Sequence, residues 1–126
     1  MNYADFIRQL ITTIPLFTEH FVHTKEVARD YFLAAQQFLQ LHKKTMKVPN
    51  FPTSVTWRVD FCNWLQANKI ECPLEFDNGE DEVAYMHDIL ILAAASLNIR
   101  LIAVPNCLYG MGNNPAYKLG LKAIQH

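Results

Sequence analysis

The chain has 126 residues, enough for one domain, and its 51% hydrophobic and 18% charged content excludes an intrinsically disordered polymer. A formal net charge of -1, from 11 basic and 12 acidic side chains, excludes a domain-wide field that would attract nucleic acid, so binding a polyanion would take a local patch. Three widely spaced cysteines, Cys62, Cys72 and Cys107, contain no Cys-x-x-Cys pair and so suggest neither a disulfide framework nor a zinc knuckle.

MNYADFIRQL carries an acid and no apolar h-region, so a signal peptide is not expected. The longest uninterrupted apolar run, residues 89–95, is too short to span a bilayer. Free thiols and the lack of an anchor predict a cytoplasmic protein in a reducing compartment.

In chain order, residues 3–13 read as a helix capped by Asn2, with Phe6, Ile7, Leu10 and Ile11 on one face, ended by Pro15. A second helix is expected from Thr24 to about Lys44, with Val27, Tyr31, Ala34, Ala35, Phe38 and Leu41 at helical spacing. Lys43, Lys44 and Lys47 form the one basic cluster. They read as cations set against the negative C-terminal end of that helix. KVPNFPTS is a loop, because two prolines in four residues stop any helix.

Thr53 or Ser54 caps a third helix to about Asn68, with Trp57, Phe61, Trp64 and Leu65 as its core stripe. Ile70, Cys72, Leu74 and Phe76 then alternate with polar residues and Pro73, which predicts an edge strand followed by a turn at Asp77-Asn78-Gly79. A fourth helix from about Glu82 to Leu97 and an apolar strand from Ile99 to Val104, read as buried on both faces, complete a strand–helix–strand unit. If parallel, it would be a right-handed crossover. The tail is ambiguous: Asn114-Pro115 suits a helix start, but Tyr117, Leu119, Leu121 and Ala123 alternate, and a strand is preferred.

The expected fold class is therefore α+β: three to four helices on a small two- to three-stranded sheet, with a helix-rich N-terminal half. Residues 1–126 form a single domain, in which 1–47 make a helical hairpin and 54–126 a helix–strand–helix–strand unit ending in a strand or helix.

Chemistry-bearing residues are sparse. His20 and His23 lack further ligands at motif spacing, so no metal and no cofactor is expected. His87 and Asp88 are adjacent near a helix start, point to different faces, and read as surface polar residues. Cys62 and Cys72 read as buried structural thiols. Cys107 follows a strand end in a loop, where ligand sites gather in α/β folds. A nucleophilic role there would need a base, such as His87 or His126. The same loop, NCLYGMGNNP, places Tyr109, Gly110, Gly112 and Asn113 where backbone amides could cradle a phosphate, although Gly-x-Gly alone matches no nucleotide motif and turn chemistry explains it.

WRVDFCNWLQANKI, a spacer, and YMHDILILAAASLNIRLIAV together resemble the middle of the ovarian-tumour (OTU) family of deubiquitinating cysteine proteases. Arg58, Leu65 and Asn68 match a phrase on the first helix. Leu92, Ala93, Leu97, Ile102 and Val104 match a phrase running from the second helix into its strand. These are mostly packing residues. The family's Asp-Gly-x-Cys nucleophile loop has no counterpart, since residues 1–56 contain no cysteine, and the family's His–aromatic pair is missing, since nothing follows His126. The resemblance implies the scaffold and a ubiquitin-like partner, without hydrolysis.

The leading expectation is thus a non-enzymatic interaction domain. Its partner is a protein, with a homodimer as the alternative and no nucleic acid or membrane. Phe17, Phe21, Phe32 and Tyr109 are candidates for the contact face. The alternatives are a hydrolase using Cys107 and a phosphate-ligand site at Gly110–Gly112.

Overall fold

The computed structural model describes residues 2–18, 27–72, 74–108 and 114–122, with backbone alone for 105–108. Among these residues, four helices and two two-stranded antiparallel sheets make an α+β fold. Helix α1 spans Tyr3–Thr12, and the Asn2 carboxamide oxygen accepts the Asp5 N–H at 2.8 Å as its cap. Its buried face is Ile7, Leu10 and Ile11.

Helix α2, Arg29–Gln40, is shorter than its periodicity suggests. Its expected start at Thr24 lies outside the described residues. At the other end the chain leaves the helix before the lysines. Lys43–Lys44 form strand β1, which pairs with β4, Leu121–Lys122, placing Lys43 opposite Lys122. The segment after α2 is therefore tied to the C-terminal part of the sequence.

Helix α3, Ser54–Ala67, buries Trp57, Phe61 and Leu65 of the stripe read from the sequence, while its fourth member, Trp64, is half-buried against the core. Its end is set by Lys69 at φ 58°, which turns the chain back so that the Ile70 N–H reaches the Leu65 carbonyl at 2.9 Å. The described residues of this stretch, 70–72 and 74–76, then form no strand. Ile70, Cys72, Leu74 and Phe76 are half-buried against the core. The alternating burial comes from packing against the core, with no paired strand among the described residues to supply a ladder.

Helix α4, Gly79–Ser96, begins three residues before Glu82 because Asn78 caps it, its carboxamide oxygen accepting the Asp81 N–H at 2.8 Å. Asp77-Asn78-Gly79 is a helix entry and not a hairpin turn. Glu80, Asp81 and Glu82 sit in the first turn, where the helix dipole favours acids. From Ala84 to Ala94 every residue is buried. The other three helices all pack against this one, so α4 is the axis of the core.

The expected crossover is absent. Strand β2, Leu101–Leu108, pairs antiparallel with β3, Pro115–Leu119, which settles the tail as a strand. The register runs from Leu101 opposite Leu119 to Val104 opposite Ala116, then slips so that Leu108 faces Pro115, the irregularity of a β-bulge. β2 is not buried on both faces. Ile102 is exposed, as is Arg100 just before the strand, while Leu101 and Ala103 pack on the core.

Candidate functional site

A polar network lies inside this fold, and its residues come from four separate stretches of chain. Because α4 starts at Gly79, His87 and Asp88 fall in its buried middle, not on the surface, at 1% and 4% exposure. His87 Nε2 is 2.7 Å from Ser54 Oγ, and His87 Nδ1 is 3.5 Å from Asp88 Oδ1. The expectation that adjacent residues could not meet is thus corrected: both side chains turn toward the same buried pocket of polar atoms. Asn114 Nδ2 donates to Asp88 Oδ1 at 2.9 Å, and Asn114 Oδ1 accepts from the Thr18 N–H at 2.6 Å and from the Thr18 hydroxyl at 3.0 Å.

The fold places each of these side chains for a local reason. Ser54 opens α3 after a short loop, so its side chain points back toward β3. There the Tyr117 N–H donates to Ser54 Oγ at 2.8 Å. The Tyr117 hydroxyl in turn donates to the Pro15 carbonyl at 2.6 Å, just after α1. Burial beside Asp88 pushes the Tyr117 phenol well above its ordinary pKa.

A serine hydrogen-bonded to a histidine whose other ring nitrogen lies 3.5 Å from an aspartate has the groups of a nucleophilic triad, so the arrangement must be judged as chemistry. Ser54 Oγ accepts the backbone N–H of Tyr117. The assignment consistent with that acceptance has the Ser54 hydroxyl donating to His87 Nε2 and the Nδ1 proton facing Asp88 Oδ1. Ser54 is 0% exposed, so the lone pair left on its hydroxyl has no open path to a substrate. The set works as a brace that satisfies buried polar groups and ties α3, α4 and β3 together. Asp88 Oδ2 is buried without a hydrogen-bond partner among the described residues.

The residues singled out in the sequence fall elsewhere. Cys107 does not stand in a loop: its backbone belongs to the bulged end of β2. His87, the suggested base for it, directs its ring nitrogens at Ser54 and Asp88. Tyr109, Gly110, Gly112, Asn113, Phe21, His20, His23 and His126 lie outside the described residues. Phe32 is buried edge-on to Tyr3 and Phe6, and Phe17 is packed against the core, so neither supplies an open contact face. Cys62 and Cys72 are free and only half-buried, lining one cavity of ≈340 Å³, and burial raises the pKa of the Cys72 thiol. No group of three or more His, Cys, Asp or Glu side chains is arranged to hold a metal among the described residues. Nor is any described helix long and apolar enough to cross a membrane.

A groove of ≈560 Å³ between α1 and α2 is the more open feature. Phe6 and Leu33 are exposed along it, Tyr3 and Phe32 form its floor, and the Arg29 guanidinium sits 4.8 Å over the Tyr3 ring. Ser54, Asn114, Thr18 and Tyr117 were not legible as a site. Ser54 is a helix-start serine by its local signal, and its partners lie 33 and 63 residues away.

Comparison with known proteins finds no matching family model, no similar curated protein and no similar solved structure.

Proposed function

We propose that this chain is a protein-interaction domain without catalytic turnover, built on an OTU-like scaffold and taking a ubiquitin-like partner. The observation that carries the reading is the closed state of the Ser54–His87–Asp88 set. The described residues that most resemble a catalytic constellation are shut off from solvent, with Ser54, His87 and Asp88 at 0%, 1% and 4% exposure. The choice of a ubiquitin-like partner rests on the packing residues shared with the OTU phrases. The α1–α2 groove supports the binding half of the reading, because it offers two exposed apolar side chains beside a cation.

The test is a binding titration of immobilised ubiquitin against the wild-type chain and a Phe6→Ala/Leu33→Ala variant. The double variant should bind about tenfold or more weakly while keeping its melting temperature, since both residues are exposed. Equal affinity removes the groove, and no wild-type binding removes the ubiquitin-like partner. Turnover of a ubiquitin–coumarin substrate that is lost in Cys107→Ser would replace this reading with the hydrolase.

A further inference from the structure

The near-zero net charge conceals a segregation. Residues 31–59 carry Lys43, Lys44, Lys47 and Arg58 with no Asp or Glu, and residues 89–126 carry Arg100, Lys118 and Lys122 with no Asp or Glu. The fold joins these two acid-free stretches. Lys43 faces Lys122 across the β1–β4 ribbon, and all of Lys43, Lys44 and Lys122 are exposed. Gly120, between β3 and β4, donates its N–H to the Arg100 carbonyl at 2.8 Å and accepts the Thr45 N–H at 2.9 Å. Arg100 Nη1 donates to the Met46 carbonyl at 3.0 Å, and Lys118 Nζ donates to Asn50 Oδ1 at 3.1 Å.

Lys43, Lys44, Lys47, Arg100, Lys118 and Lys122 have no carboxylate partner among the described residues. Six of the chain's acids are instead concentrated in residues 71–82, at the opposite end of α4 from Arg100. A helix of 18 residues separates the two ends by about 27 Å. Two lysines directly opposed on a ribbon repel one another, and a bound anion relieves that repulsion.

We propose that this face binds single-stranded nucleic acid through its phosphates, without reading sequence. Three observations select this occupant. Apart from Arg100 the cations are lysines, compact point charges suited to phosphate, whereas protein interfaces are depleted in lysine. The cations come from β1, the loop after it, β3, β4 and the turn before β2, so they make a track and not a single pocket. Exposed apolar groups lie among them: Met46 is 89% and Phe51 73% exposed, and Ile102 lies opposite Lys118 on the hairpin. Asn50 and Thr53, on either side of Phe51, both contact Lys118, which sets the ring beside the track as a stacking platform. The reasoning from net charge that argued against nucleic acid holds for the domain and fails for this face.

The experiment is fluorescence anisotropy of a labelled oligothymidylate with the full chain, from about 50 to 200 mM salt. Affinity should fall steeply with salt, and Lys43→Gln/Lys44→Gln/Lys122→Gln should lose binding and flatten the log–log salt slope by about 0.7 per lysine removed. Phe51→Ala should weaken binding about fivefold or more with the slope unchanged. Circular dichroism confirms that each variant is folded, and the same titration on Lys47→Gln gives a second reading if the triple variant unfolds. No binding at the lowest salt, or folded lysine variants that bind like wild type, overturns the proposal. So does duplex bound as tightly as single strand, or polyglutamate competing as well as the oligonucleotide.

Discussion

Ser54 Oγ lies 2.7 Å from His87 Nε2, across 33 residues of sequence, and the same oxygen accepts the Tyr117 N–H at 2.8 Å. One hydroxyl therefore serves two buried groups. Replacing it in Ser54→Ala strands both of them, and an unsatisfied buried polar group costs about 1–3 kcal/mol. A fall in the urea midpoint of that order, with an unchanged slope, is expected. An unaltered midpoint would remove the brace from the account of stability.

Gly120 is fixed by space. A Cβ there would meet the Thr45 carbonyl oxygen at 3.1 Å and Arg100 Cβ at 3.2 Å. Gly120→Ala should cost about 1 kcal/mol and Gly120→Val more, as in other overpacked sites. Because the Thr45 N–H is bonded to the Gly120 carbonyl, its hydrogen exchange should accelerate first, before the amides of α4.

Lys69 holds φ 58°, a left-handed conformation that a side chain disfavours, in the exposed turn closing α3. Lys69→Gly should raise stability by about 0.5–1 kcal/mol, seen as an increase of a few degrees in Tm. Asn98, which closes α4 with φ 59°, should gain less from the same change, because asparagine tolerates this region better.

Burial raises the Tyr31 phenol well above its ordinary pKa of 10.0, with nearby Cys72, Cys62, Glu82 and Tyr85 adding to the effect. The folded state thus holds this proton more tightly than the unfolded state does. The stability tied to it is intact below about pH 10 and is lost as pH climbs beyond that value. Tyr117 has the same sign. Chemical denaturation at stepped alkaline pH should show the decline, and Tyr31→Phe should make it shallower.

What was legible in the sequence is what is decided locally. Asn2 as a cap, the Trp57–Phe61–Leu65 stripe and the alternation at Tyr117–Leu119 each arise from neighbours in the chain, and the structure has them. The misread stretches are those in which a distant segment decides. Lys43 and Lys44 look like helix-end cations until Leu121 and Lys122 arrive beside them. Ile70, Cys72, Leu74 and Phe76 have a strand's alternation but, among the described residues, no strand to pair with. His87 and Asp88 look polar and therefore external, yet Ser54 and Asn114 meet them inside. Polar burial of this kind leaves no periodic trace, because hydrogen-bond partners need proximity and not spacing.

The hydrogen bonds from Thr18 to Asn114 and from Tyr117 to Pro15 span 96 and 102 residues. Their consequence is temporal. During synthesis, at about 5–20 residues per second, the turn after α1 waits about 5–20 s for its partners to emerge. Helix α4, against which α1 packs, is already complete at Ser96 while Asn114 and β3 are still to come. A nascent chain halted before residue 114 therefore lacks both of the bonds that tie down the segment after α1.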